Sequence, residues 1–131
     1  MRVFIVEDSV VMRERLSALL GNIAHIEIVG HSCDETGAIE HIDALLPDAV
    51  VLDISLQPGS GISVLEHIKK HHGGIKVMVL TNYIDDFYIK RCMAAGADFF
   101  FDKTFQLEQL RAVFWQSGNF DAFVNSTVAA G

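Results

Sequence analysis

Glu7 and Asp8 close one short apolar run, Asp53 closes a second, Thr81 closes a third, and Lys103 stands just beyond a fourth. Brought to one place, they would form a rim of three carboxylates, a hydroxyl and an ammonium. Two like charges about 4 Å apart repel by roughly 4 kcal/mol at an effective dielectric near 20, so such a rim is unfavourable until something positive arrives. A hard divalent cation with oxygen ligands relieves the repulsion, and a site with few protein carboxylates and room for water suits Mg²⁺. One carboxylate then remains able to attack phosphorus, and phosphoryl transfer asks for positioning and charge neutralisation more than for covalent help. Lys103 would neutralise one phosphoryl oxygen, and Thr81 would hydrogen-bond another. Taken singly, each residue has an ordinary reading. A Thr at a strand end or a Lys in a loop is usually structural, and Asp8 or Ser9 also suits the N-cap of a following helix. Joint placement is what gives the chemical reading its weight.

That placement rests on the elements in between. Short β-rich runs at Val3–Val6, Ile26–Val29, Ala49–Leu52, Val77–Leu80 and Asp98–Phe101 alternate with helical patterns. Several runs are almost continuously apolar, as strands covered on both faces are. Helical spacing relates Met12, Leu16, Leu19, Leu20 and Ile23, then Ala38, Ile42, Leu45 and Leu46. It continues with Ile62, Leu65 and Ile68, with Ile84, Tyr88, Cys92 and Ala95, and with Leu107, Leu110 and Phe114. Pro47, Gly73-Gly74 and Gly96 stop the second, third and fourth patterns. Consecutive β/α units predict an α/β fold, a flavodoxin-like doubly wound (βα)5 three-layer sandwich with a parallel sheet in the order 2-1-3-4-5. Ligands of such a sheet bind outside the carboxyl ends of the strands, at the switch point between strands 1 and 3. Glu7, Asp8 and Asp53 fall there.

Composition narrows the alternatives. Half of the residues are apolar, which excludes global disorder, and 131 residues suit one domain with its own core. No stretch approaches the roughly 20 apolar residues of a membrane span. The run before Glu7 is too short for a signal peptide, so the expected location is the cytoplasm. A formal net charge of −7 argues against a binder of nucleic-acid backbone. Cys33 and Cys92 form no CxxC pair and are expected to be buried, reduced thiols. His67 and His71 sit one helical turn apart, a spacing that could hold a metal. No nearby carboxylate or cysteine completes a set, so a solvated helix end is expected for these histidines and for His72.

The segments Phe4-Ile-Val-Glu-Asp-Ser9, Val51-Leu-Asp-Ile-Ser55, Gly59-Ser-Gly-Ile62, Val79-Leu-Thr81 and Ala95-Gly-Ala-Asp-Phe-Phe-Phe-Asp-Lys103 carry a further signal in their intervals. By them the chain, from residue 2 to about 117, resembles the response-regulator receiver family of two-component signalling. The resemblance implies that Asp53 is the phosphoacceptor. It implies that Asp8, Asp53 and the Ser55 carbonyl bind Mg²⁺ (or Mn²⁺), with Glu7 reaching the metal through water. Lys103 would bind the phosphoryl group, and Thr81 and Phe100 would form a coupled switch pair. The implied partners are a sensor histidine kinase or phosphotransfer protein and a downstream protein target, with a phosphorylation-dependent homodimer as a further option. Such a protein is no enzyme beyond catalysing its own phosphorylation and dephosphorylation. Three positions depart from the family pattern. Gln57 stands where proline is usual and Pro58 follows, Asn82 replaces a smaller residue, and Thr104 follows Lys103 where proline is frequent. A cis bond before Thr104 would cost about 2.5–4 kcal/mol, so a trans bond is expected. None of the departures removes a group the chemistry needs.

Residues 1–117 are therefore read as the receiver domain and 118–131 as a partly disordered C-terminal tail, which has no Lys or Arg. Two readings of the output stay open. One is a switch that acts on a protein target or passes phosphate along a relay, with no direct nucleic-acid contact and no membrane. The other is the receiver portion of a DNA-binding transcriptional regulator whose output domain is not in this chain. A flavodoxin-like cofactor binder is a weaker third, because no Gly-rich loop follows the first strand and Glu7-Asp8 would repel phosphate. Phosphorylation would draw Thr81 toward the phosphoryl group and let Phe100 turn inward. That would alter the surface of the fourth helix, fifth strand and fifth helix, where Lys90, Arg91, Phe101 and Arg111 are candidates. Ser55 and Tyr83 flank the expected path of attacking water.

Overall fold

The computed structural model describes residues 1–56, 59–82 and 86–116, so Gln57, Pro58, Tyr83, Ile84 and the tail 118–131 lie outside the described residues. The apolar runs form β1 (Arg2–Val6), β2 (Glu27–Ser32), β3 (Ala49–Leu52), β4 (Lys76–Thr81) and β5 (Phe99–Asp102). Each is followed by a helix: α1 (Val10–Gly21), α2 (Glu35–Leu45), α3 (Gly61–His71), α4 (Asp86–Ala94) and α5 (Leu107–Trp115). The strands pair in parallel in the order β2-β1-β3-β4-β5, which is the flavodoxin-like topology the alternation predicts.

Strand alternation sorts the core into two layers. Phe4, Val6, Val50, Leu52, Val77 and Val79 face one side and bury the apolar stripes of α2, α3 and α4, including Ile42, Leu65 and Cys92. Val3, Ile5, Val51, Met78 and Leu80 face the other and meet Leu16 and Leu20 of α1 and Leu110 and Phe114 of α5. Each fully buried Leu, Val or Phe side chain contributes about 1.5–3 kcal/mol relative to exposure. The strands between two such layers must therefore be apolar throughout, as β3 is. Helix starts are set by short polar side chains. Ser9 accepts from the Met12 N–H at 3.3 Å, Asp34 from Gly37 at 2.7 Å and Ser60 from Ile62 at 3.2 Å.

Several local expectations need correction. β2 does not end at Val29 but runs on through Gly30 to Ser32. A Cβ on Gly30 would stand 3.2 Å from the Phe4 ring, so glycine admits that ring against the strand instead of breaking it. Leu46 does not share the buried face of α2. It is the C-cap, with φ 47°, and its side chain is exposed. Ile23 is buried as expected but lies past the end of α1, and Asp98 precedes β5. Phe101 is not on the outer surface: it is buried on the α1–α5 side, stacked with Phe99 at 5.8 Å, while Phe100 points to the α4 side. Cys33 is exposed rather than buried, whereas Cys92 is buried and its thiol is pushed up to about 11 by desolvation. No helix among the described residues is long and apolar enough to cross a membrane.

Candidate functional site

The carboxyl ends of β1, β3, β4 and β5 meet at one rim, because the switch point lets the chain leave β1 and β3 toward opposite faces of the sheet. Glu7 and Asp53 directly follow their strands, and their backbones are pinned there. The Glu7 N–H donates to the Ser32 carbonyl at 3.0 Å and the Asp53 N–H to the Val6 carbonyl at 2.9 Å. The Lys103 N–H donates to the Thr81 carbonyl at 2.9 Å, which extends the β4–β5 pairing by one step. Glu7, Asp53, Thr81 and Lys103 are all buried, Glu7 and Asp53 to within 1% exposure, while Asp8 is open to solvent.

Buried charges persist only when paired and hydrogen-bonded. Here the Lys103 ammonium donates to Glu7 Oε1 at 3.0 Å and to Asp53 Oδ2 at 3.1 Å, and lies 2.8 Å from Glu7 Oε2. The other oxygen of Asp53, Oδ1, accepts from the Ser55 N–H at 3.0 Å and the Ser55 hydroxyl at 2.9 Å. Glu7 Oε1 also accepts the Ser9 N–H at 3.1 Å, so the residue that caps α1 helps hold the site. Two carboxylates share one ammonium, and the electrostatics follow from that shortage. Burial pushes the Glu7 carboxyl up to about 7; the Lys103 hydrogen bond opposes the shift and the neighbouring Asp53 charge adds to it. Burial alone would lower the Lys103 pKa, but the Glu7 hydrogen bond and the charges of Asp53 and Glu7 outweigh it and hold the ammonium above its ordinary value.

Carboxylate oxygens of Glu7, Asp8 and Asp53 lie within 4.8 Å of one another, so a contraction of about half an ångström brings them inside the roughly 4.2 Å that separates opposite ligands of a six-coordinate Mg²⁺. The donor set is all oxygen, as a hard cation requires. Ser55 sits beside Asp53 through its two hydrogen bonds, so its backbone borders the same space. Phe100 is half-buried, packed against the α2–α4 layer with Tyr88, and pairs in register with Val79, two residues before Thr81.

Two supporting residues were not singled out from sequence. Asp102 Oδ1 accepts the N–H groups of Thr104 at 2.6 Å and Phe105 at 3.2 Å, which shapes the turn that presents Lys103. An Asp one residue before the lysine is a turn former, and that signal was available. Glu35, at the start of α2, accepts the Ser60 N–H at 2.9 Å and steadies the loop before α3; nothing in sequence links positions so far apart. His71, the last residue of α3, is exposed as expected, but the expectation for His67 and His72 is overturned. Asp43 of α2 brings a carboxylate to them, with Oδ1 2.8 Å from His67 Nε2 and 2.7 Å from His72 Nε2. His72 lies past the end of α3, where helical spacing no longer predicts direction.

The topology and the buried acidic rim define a doubly wound α/β domain with its site at the switch point. The chain belongs to the response regulator receiver domain family, whose model matches residues 3–114. Among its relatives, the response regulator protein VraR of Staphylococcus saprophyticus is 32% identical over 103 residues, which cover 79% of this chain and 49% of that protein. The chain thus spans about half the length of the curated relatives it matches. A DNA-binding response regulator of the LuxR family from Staphylococcus aureus superposes with a TM-score of 0.79 at 26% identity, covering 85% of this chain and 92% of that one. The signal receiver domain of a DNA binding response regulator (merR) from Colwellia psychrerythraea reaches 0.83 at 24% identity over 91% and 98%, a likeness of fold.

Proposed function

We propose that this receiver domain accepts a phosphoryl group on Asp53 from a histidine kinase or phosphotransfer protein, with Mg²⁺ (or Mn²⁺) held by Asp8, Asp53 and the Ser55 carbonyl and Glu7 reaching it through water. The observation that carries the reading is the triangle in which one ammonium, Lys103, touches both Glu7 and Asp53 at the carboxyl edge of the sheet. Asp53 Oδ attacks phosphorus as the bond from phosphorus to the donor imidazole breaks, so the donor leaves as neutral histidine once it regains a proton. The Ser55 N–H and hydroxyl fix the Asp53 carboxylate in orientation. Lys103, already against Asp53, needs only a small displacement to neutralise a phosphoryl oxygen. A bound divalent cation would supply charge neutralisation between the acidic rim and the incoming phosphate. Beyond its own phosphorylation and dephosphorylation the domain catalyses nothing, and it works in the cytoplasm. Incubation with autophosphorylated histidine kinases of the source organism, scored for preferential transfer, tests the assignment; no transfer from any of them, and none from acetyl phosphate, would refute it.

The metal reading predicts linkage. A ligand at 100 times its dissociation constant stabilises the folded state by about 2.7 kcal/mol, so Mg²⁺ should raise the melting temperature. Asp8→Asn removes one repelling charge at the open mouth of the rim. It should weaken Mg²⁺ binding at least about tenfold, as loss of a ligand does, yet leave the metal-free protein as stable or more so. Calorimetric titration giving unchanged Mg²⁺ affinity would mean the ligand set is wrong.

The output reading assigns the message to α4, β5 and α5. A phosphoryl group adds about −1.5 to −2 charges and three acceptor oxygens. Thr81 reaches toward it, and Phe100 turns further into the α4 layer. Lys90, Arg91 and Arg111 remain on that surface, Arg111 lying over the exposed Trp115 ring at 5.2 Å. Thr81→Ala should keep phosphorylation at Asp53 but uncouple it from this face. Amide NMR spectra of beryllofluoride-treated wild type and variant check the point: equal shifts of α4 and β5 in both would remove Thr81 from the pathway. The downstream element is either a protein target or a DNA-binding domain on the same polypeptide. The VraR relatives are about twice as long as the matched span, and the LuxR-family neighbour is a DNA-binding response regulator; both support the second reading, with this domain itself contacting protein only.

A further inference from the structure

At the opposite edge of the sheet from Asp53, α2 and α3 bring together a second cluster of different chemistry. α3 starts at the carboxyl edge beside Asp53 and runs back to the edge where β4 begins, so His67 and His72 lie far from the acidic rim. Both imidazole Nε2 atoms converge on a single oxygen, Asp43 Oδ1, at 2.8 and 2.7 Å, and all three ligand atoms lie within 4.8 Å of one another. A third ring, His71, sits one turn from His67 with centroids 4.6 Å apart.

We propose that Asp43, His67 and His72 form a site for a late first-row divalent cation such as Zn²⁺, independent of the carboxylate rim. Two nitrogens and one oxygen suit Zn²⁺, Ni²⁺ or Cu²⁺ and not Mg²⁺, which prefers oxygen alone. Zinc bonds of about 2.0–2.1 Å place tetrahedral ligands about 3.3 Å apart. The N···O separations therefore need to open by about half an ångström, and the Asp43 side chain, 43% exposed, is free to swing that far. The imidazoles are 23% and 24% exposed, reachable by an ion yet anchored on two packed helices. The hydrogen bonds from His67 and His72 hold the Asp43 carboxyl below its ordinary range, so it presents a charged oxygen at neutral pH. Lys69, two residues along the helix from His67, is held elsewhere: its ammonium donates to the Ile75 carbonyl at 2.6 Å and to Asp98 at 2.8 Å. Lys70 is exposed to solvent. The fourth position is left to water. A bound ion would clamp α2 to α3.

Untagged protein, freed of metal with a chelator and returned to saturating Mg²⁺, is titrated with Zn²⁺ by calorimetry and with Co²⁺ by visible absorption. One equivalent should bind, with a nitrogen-ligated Co²⁺ spectrum and a rise in melting temperature. His67→Gln and His72→Gln should each weaken Zn²⁺ at least about tenfold, while Asp53→Asn should leave it within about twofold. Both histidines are near the surface, so the metal-free melting temperature of each variant reports whether the fold is intact. If the histidine variants fold and bind Zn²⁺ like wild type, or if Asp53→Asn abolishes binding, the ion belongs elsewhere. Absence of binding by wild type would leave the cluster as a hydrogen-bonded clasp and overturn the proposal.

Discussion

Asp53→Asn should reduce phosphoryl incorporation from acetyl phosphate and Mg²⁺ to background while leaving the domain folded. Asparagine keeps the volume of Asp53, and its carbonyl oxygen can still accept the Ser55 N–H and hydroxyl, so orientation of the side chain survives. What disappears is the anionic oxygen that lies against Lys103 at 3.1 Å. An amide is a far weaker nucleophile, and no other group replaces it at that depth: Glu7 is tied to the same ammonium and pushed toward its protonated form. Removing one of two buried carboxylates also relieves like-charge repulsion, so the variant should match or exceed wild-type stability in metal-free buffer above neutral pH. Intact-mass spectrometry reads the labelling and thermal denaturation reads the fold. Stoichiometric labelling that persists in Asp53→Asn would move the acceptor to another residue and undo the mechanism.

The largest effect on stability should come from Gly61→Ala. Gly61 opens α3 just after its cap Ser60, and its N–H donates to the Ile54 carbonyl at 3.0 Å. A Cβ at that position would stand 2.3 Å from the Asp53 carbonyl oxygen and 2.4 Å from Ile54 Cα. Both are backbone atoms of the segment that carries Asp53, so no side chain can move aside to make room. Either α3 slides away from the Asp53 loop or the loop shifts. Overpacking of this kind costs about 3 kcal/mol, and the melting temperature should fall by about 10 °C. Phosphorylation should slow as well, because the displaced backbone carries Asp53 and Ser55. A drop of less than about 2 °C, with normal labelling, would show that the loop yields without cost.

Much of this was legible in the chain itself, for a physical reason. Strands covered on both faces must be apolar, so Val3–Val6 and Ala49–Leu52 announce themselves, and a parallel order then forces Glu7, Asp53, Thr81 and Lys103 to one edge. Phe99-Phe-Phe101 carries less information. Three identical rings carry no alternation, so only the sheet reveals that Phe101 faces α5 and Phe100 faces α4. The second run reads as ending at Val29 because the reason for Gly30 in the strand, the Phe4 ring, is not local. Asp43 and His67 meet across 24 residues and two helices, and neither period nor propensity encodes such a meeting.

The bond between Lys103 and Glu7 joins residues 96 apart in the chain, and that between Lys103 and Asp53 joins residues 50 apart. Among the described residues, β5 is a four-residue strand at the edge of the sheet, paired on one side only. Elements of that kind are the first to open in local unfolding. When β5 opens it takes Lys103 with it and leaves Glu7 and Asp53 facing each other without their shared cation. Neutralising the acidic rim and closing this edge of the sheet are therefore a single cooperative event. The same ammonium that pairs with Asp53 also keeps the terminal strand from fraying, and a partly folded chain that lacks β5 leaves Asp53 without that charge partner.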